Sequence, residues 1–128
     1  MIAKDFDLWN EEKKKLDSAK QNIFFHEREI WWCSIGLNIG DEQDGKNELF
    51  ERPVLIIRKF NDRLAWVLPL TTKLKEGKYH HKIVHDDIEF VVILSQLRLV
   101  SIKRFHRRIR KIMSVDFNII KGKITELL

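Results

Sequence analysis

The chain has one cysteine, two prolines and no apolar run near the roughly 20 residues that a membrane-spanning helix requires. With Cys33 alone, no intramolecular disulfide can form, and a reducing, cytoplasmic setting is expected. Cys33 sits within an apolar run, which suits a core thiol better than a nucleophile. The N-terminus carries too many charges for a signal peptide. Internal repeats, low-complexity tracts and a domain linker are also lacking. The 128 residues therefore read as one domain, long enough to bury roughly two-thirds of the unfolded surface. Within it, 1–27 form an N-terminal helical extension and 28–128 the body.

What the chain does have is basic charge: Lys and Arg number 24 against 19 Asp and Glu, giving +5. A pI near 9.4 favours polyanionic or acidic partners. Hydrophobic content of 44% with 34% charged residues excludes a disordered chain. Lys103, Arg104, Arg107, Arg108, Arg110 and Lys111 fall in one segment without an acid. That segment is either a solvated basic face or a track for nucleic acid or an acidic partner.

Phe6, Trp9 and Leu16 share a face at helical spacing, predicting a helix from about Asp5 to Gln21 with Asp5 as its cap. It can dock on the body or bind a partner. Strands are predicted at Glu29–Ile35, Pro53–Phe60, Leu64–Leu70, Tyr79–Val84 and Glu89–Ser95, from their β-branched and aromatic content. Turns are expected at Asn61-Asp62-Arg63 and Asp86-Asp87. Gly36 to Glu51 make a polar loop too long for a simple turn, and Thr71 to Lys78 a second, basic loop. Ile102 to Met113 fit either a helix or a turn and strand. Ser114 is expected to cap a last helix with Phe117, Ile120, Ile124 and Leu127 on its apolar side. Short sequential strands with a helix at each end predict a mainly β (α+β) fold, a partly open antiparallel barrel.

Arg52 stands at the mouth of one predicted strand, and Thr71-Thr72 end the next. A planar, permanently charged donor fork beside two small hydroxyls can hold a phosphodiester if the strands are neighbours. The competing readings are an ion pair of Arg52 with Glu51 or Asp44, and hydroxyls that merely cap a strand end.

Several blocks in order resemble the PemK/MazF family of toxins. They are Glu29-Ile30-Trp31-Trp32, Gly40 to Gly45, Arg52 to Ile57, Pro69-Leu70-Thr71-Thr72 and Leu94-Ser95-Gln96-Leu97-Arg98. The resemblance spans roughly Arg28 to Leu128. It implies an SH3-like barrel of the MazF/PemK/CcdB type that forms homodimers. It also implies metal-independent, sequence-selective cleavage of single-stranded RNA, leaving a 2′,3′-cyclic phosphate and a 5′-hydroxyl. No cofactor is implied. The implied partner is an acidic antitoxin whose tail crosses the RNA groove, with DNA binding in the antitoxin's company. By motif, Arg52 and Thr71 match the catalytic positions. Glu42, Gln43, Thr72, Lys73, Ser95 and Gln96 fall at substrate-binding ones.

Some members carry histidine where this chain has Asp41, and arginine and aspartate where it has Ile93 and Ser95. Lys46 to Phe50 are additional to the short family loop. On this reading Arg52 stabilises the phosphorane, because arginine is a poor base at neutral pH. His80, His81 and His85 are candidates for the base or plain surface histidines. His80 and His81 point to opposite faces of their strand, and the spacing does not suit a metal. Trp31, Trp32 and Trp66 are expected in the core, with Phe50 and Tyr79 as base-stacking candidates. The alternative function is a non-enzymatic, CcdB-like module that binds gyrase or nucleic acid. The C-terminal helix lacks a large aromatic at its tip for the gyrase version.

Overall fold

A computed structural model describes residues 4–19, 23–73 and 76–128, apart from the side chain of His85. The parts of the first helix and of the second loop expected at residues 20–21 and 74–75 lie outside the described residues. Helix α1 runs Phe6–Ser18. Asp5 caps it as expected, its carboxylate accepting from Leu8 N at 3.0 Å. Trp9 and Leu16 are buried on its inner stripe, but Phe6 is half exposed. The apolar side of the helix therefore meets the body through Trp9 and Leu16.

Among the described residues, seven strands follow: β1 Glu29–Ser34, β2 Glu51–Lys59, β3 Leu64–Thr71, β4 His80–His85, β5 Ile88–Ile93, β6 Arg98–Ser101 and β7 Phe105–Lys111. All pairings are antiparallel, in the order β4-β5-β3-β2-β1-β7, with β6 paired to β3. This bent, open sheet is the predicted partly open barrel. Its two faces bury different cores, which is why the strands read as continuous apolar runs instead of alternating ones. The inner face carries Trp31, Cys33, Val54, Ile56, Ala65, Val67 and Phe105. The outer face carries Ile30, Leu55, Leu68, Leu70 and Val92 beneath Phe117 and Ile120 of helix α2, Ser114–Leu127. Among the described residues no helix is long and apolar enough to cross a membrane.

The ambiguous stretch resolves as a 3-10 turn, Ile102–Arg104, followed by β7. Asp86 and Asp87 both take positive φ, 47° and 62°, and close the β4–β5 hairpin in the left-handed region that aspartate tolerates.

Three expectations are corrected here, and one strand is added. Ser114 does not cap α2: it is already helical, and Met113 at the cap position offers no side-chain bond. Leu127, in the last turn, is exposed, while Ile124 is partly buried. Trp66 is 41% exposed, not core. It shares the outer parity with Leu68, but α2 covers Leu68 and stops short of Trp66, which packs edge-on against Phe60 at 4.9 Å. Strand β6 was not anticipated. It is four residues long with Val100 alone buried, too short for a period to show.

Candidate functional site

The register of β2 and β3 sets Val54 against Pro69. Continued by two residues, it sets Arg52 across from Thr71 on the same sheet face. The two strands are therefore neighbours, as the phosphate reading requires. Val54 and Pro69 form part of the floor of a cleft of about 670 Å³. Its rim comprises Asn38, Asp41, Glu42 and Gln43 from the long loop, Ser95 and Gln96 from the β5–β6 connection, and Arg98 at the start of β6. Four of the predicted substrate-binding residues, Glu42, Gln43, Ser95 and Gln96, thus meet at one cleft. Arg52 and Thr71 lie one row along the same face, and Thr72 and Lys73 are exposed just beyond.

Arg52 is half-buried and held by backbone carbonyls: Nε donates to Asp44 O at 2.7 Å and Nη1 to Leu70 O at 3.2 Å. A guanidinium has five N–H donors, so three are free of these bonds and share a fixed plane. Burial lowers its pKa from the usual arginine value, and the Asp44 carboxylate opposes that shift. Arginine nonetheless stays charged in proteins. The ion-pair expectation fails in its detail. Glu51 pairs with Arg107 at 3.3 Å, and the Asp44 carboxylate pairs with Lys4 at 2.9 Å. Thr71 is buried, and its Oγ1 accepts from Lys73 N at 3.2 Å. That bond is the strand-end cap considered above, and it leaves the hydroxyl proton available to a ligand.

The loop over the cleft is tightly bonded. Gly45 N donates to Gly36 O at 2.7 Å, and Asn38 N to Asp44 Oδ1 at 2.6 Å. Gly36 has φ +81°, and a Cβ there would overlap the Trp9 indole. Gln43 N donates to Gln96 Oε1 at 2.7 Å, so Gln96 clasps the loop to the opposite rim. Glu42 Oε1 accepts from Ile39 N at 2.9 Å within the loop. Asn38, Asp44 and Arg98 were missed as contributors. Asp44 stood out in the sequence only as a possible ion-pair partner, whereas its carbonyl is what holds Arg52.

The histidines separate by strand parity. His81 packs toward α2, with Nδ1 3.0 Å from Lys123 Nζ and Nε2 3.4 Å from Asp116 Oδ1. His80 pairs with Ile93 in register, and Val91 of the same strand pairs with Thr71. His80 therefore shares the face of Thr71 and Arg52. Its Nδ1 is buried without a partner among the described residues. The side chain of His85 lies outside the description. Phe50 is a poor stacking candidate, because Trp9 already packs on it at 5.4 Å. Tyr79 is exposed, with Lys78 Nζ 4.9 Å from its ring centre. Trp31 is core, while half-buried Trp32 lies under the Arg107 guanidinium at 4.8 Å. Burial pushes the Cys33 thiol up to about 12, which leaves it neutral and unreactive. Among the described residues no three His, Cys, Asp or Glu side chains are placed to hold a metal.

Against this geometry, a family model described as a PemK-like, MazF-like toxin of type II toxin–antitoxin systems matches residues 26–128. The fold is similar to MazF from Deinococcus radiodurans, with a TM-score of 0.66 and 16% identity over 83% of this chain and 97% of that one. It is similar to an endoribonuclease in complex with its cognate antitoxin from a mycobacterial species. There the TM-score is 0.63 at 11% identity, covering 80% of this chain and 93% of that one. It also resembles a MazE–MazF structure from D. radiodurans, with a TM-score of 0.61 and 13% identity over 83% and 96% of the two chains. At such identities these likenesses speak for the fold. No curated protein matches in sequence.

Proposed function

The chain belongs to the PemK-like, MazF-like family of type II toxin–antitoxin toxins, and from that premise we propose that it is an endoribonuclease acting on single-stranded RNA. The observation that carries the reading is Arg52, fixed by two carbonyls with donors to spare, across from the buried Thr71 at the end of a cleft.

In the proposed reaction the ribose 2′-oxygen attacks the adjacent phosphorus and the P–O5′ bond breaks. The departing 5′-oxygen takes a proton from solvent water, so the products are a 2′,3′-cyclic phosphate and a 5′-hydroxyl. Negative charge builds on the non-bridging oxygens, where the free Arg52 donors and the Thr71 hydroxyl stabilise it. Each such preorganised donor is worth ~3 kcal/mol. Because Arg52 is already held, little reorganisation is needed as the charge develops. The 2′-proton needs a base that titrates near neutrality. His80 shares the face of Thr71 but stands on β4, with β5 between them, and its unpartnered Nδ1 is buried, so it is not assigned to this step. Glu42, Gln43, Ser95, Gln96, Thr72 and Lys73 are proposed to contact the RNA on either side.

The proposed partners are an acidic antitoxin, in keeping with the complexes among the related structures, and a second copy of the chain. The proposed setting is cytoplasmic. The direct test is purified, antitoxin-free protein incubated with a long single-stranded RNA in EDTA, followed by end-group analysis. Cleavage with cyclic phosphate ends is expected. Intact RNA, or 5′-phosphate ends, would remove the proposal.

A further inference from the structure

Helix α1 and the residues before it lie outside the stretch that matches the family, which begins at residue 26. Even so, they reach the site directly. Lys4 Nζ pairs with Asp44 Oδ2 at 2.9 Å and donates to Asn38 O at 2.6 Å. The other Asp44 carboxylate oxygen accepts from Asn38 N, and the Asp44 carbonyl accepts from Arg52 Nε at 2.7 Å. Trp9 seats its indole on Gly36 and packs at a tilt against Phe50, so one side chain ties the two ends of the loop together. Arg104 lies 5.6 Å from the Trp9 ring, and Lys103 Nζ donates to Asp17 O at 2.6 Å, fixing the helix to the body.

We infer that the N-terminal segment is a strap for the reactive arginine, with Lys4 and Trp9 as positioning residues. The strap does two things. It holds the Asp44 carbonyl where it aims the Arg52 guanidinium. It also keeps the Asp44 carboxylate on Lys4, away from a guanidinium that it would otherwise pair with and neutralise. The free carboxylate is within Coulombic reach of Arg52, and an Asp–Arg pair would occupy the donors needed for phosphate. Charge is thereby partitioned: Lys4 takes the acid so that Arg52 can take the substrate. This inference rests on the proposed role of Arg52.

The experiment compares the full chain with Lys4→Ala and Lys4→Arg. Two readouts are taken: amide hydrogen exchange, and steady-state cleavage of single-stranded RNA. Lys4 is partly exposed, so neither substitution threatens the core. In Lys4→Ala the amides of Asn38 and Gly45 are expected to exchange about tenfold faster, while those of Leu55 and Leu68 are unchanged. In the same variant kcat is expected to fall about tenfold with KM nearly constant, and Lys4→Arg restores both readouts. Unchanged exchange at Asn38 and Gly45 overturns the strap. Faster exchange with unchanged kcat overturns its positioning role. If the wild-type chain cuts no RNA, the endoribonuclease reading fails, and the strap then stands or falls on the exchange data.

Discussion

Two sets of arginines in this molecule are held in opposite ways. Around the cleft, Arg52 and Arg98 donate to backbone carbonyls: those of Asp44 and Leu70, and that of Ile35 at 3.0 Å. On strand β7, Arg107 and Arg108 donate to carboxylates, those of Glu51 at 3.3 Å and Glu29 at 2.9 Å. A carbonyl dipole orients a guanidinium without cancelling its charge, whereas a carboxylate does both. Of the two basic regions, the one around the cleft therefore keeps positive charge for a ligand. In the β7 segment, the more conspicuous in the sequence, Arg107 and Arg108 spend their charge on two buried acids of the same chain. Counting basic residues pointed to β7, but it is the acceptors they meet that favour the cleft.

Five changes would break or sharpen that contrast. The largest effect on stability is expected for Glu29→Ala. Glu29 is buried and accepts from His26 N at 2.6 Å and Trp31 Nε1 at 3.2 Å as well as from Arg108. Losing these acceptors should cost about 3 kcal/mol, read as a lower denaturant midpoint. Next is Arg52→Lys, which keeps the charge but cannot bond two carbonyls and still present a fork. Cleavage should fall about 100-fold, with the melting temperature nearly unchanged. Thr71→Val keeps the shape and removes one donor, so a loss of about tenfold in kcat is expected. Smallest are Arg107→Ala and Arg108→Ala. These half-exposed partners should each change stability by about 1 kcal/mol or less, and cleavage by less than about threefold.

Much of this was legible in the sequence. The β2–β3 hairpin that sets Arg52 across from Thr71, and the split of His80 from His81, follow from period-2 parity and short connections. Those features are local, so they can be read along the chain. The missing parts are set by which layer covers which face. Trp66 has core chemistry, but its surroundings depend on where α2 ends. The salt bridge from Lys4 to Asp44 joins groups far apart in sequence, each of which looks like ordinary surface charge. Strand β6 exists because β3 offers an edge, and its own four residues carry too little pattern. The reading of Arg52 as an ion-pair partner came close in place and erred in chemistry. Asp44 is indeed its neighbour, but the atom that holds it is a carbonyl oxygen.

The central claim is that the reactive charge is Arg52, not the basic strand. It is tested most directly by cleavage of one long single-stranded RNA in EDTA by the wild-type chain, Arg52→Ala and Arg107→Ala in parallel. The account predicts cyclic phosphate ends from the wild type, a loss of about 100-fold or more for Arg52→Ala, and near wild-type cutting for Arg107→Ala. Wild-type cutting by Arg52→Ala, or an equal loss in both variants, would contradict it.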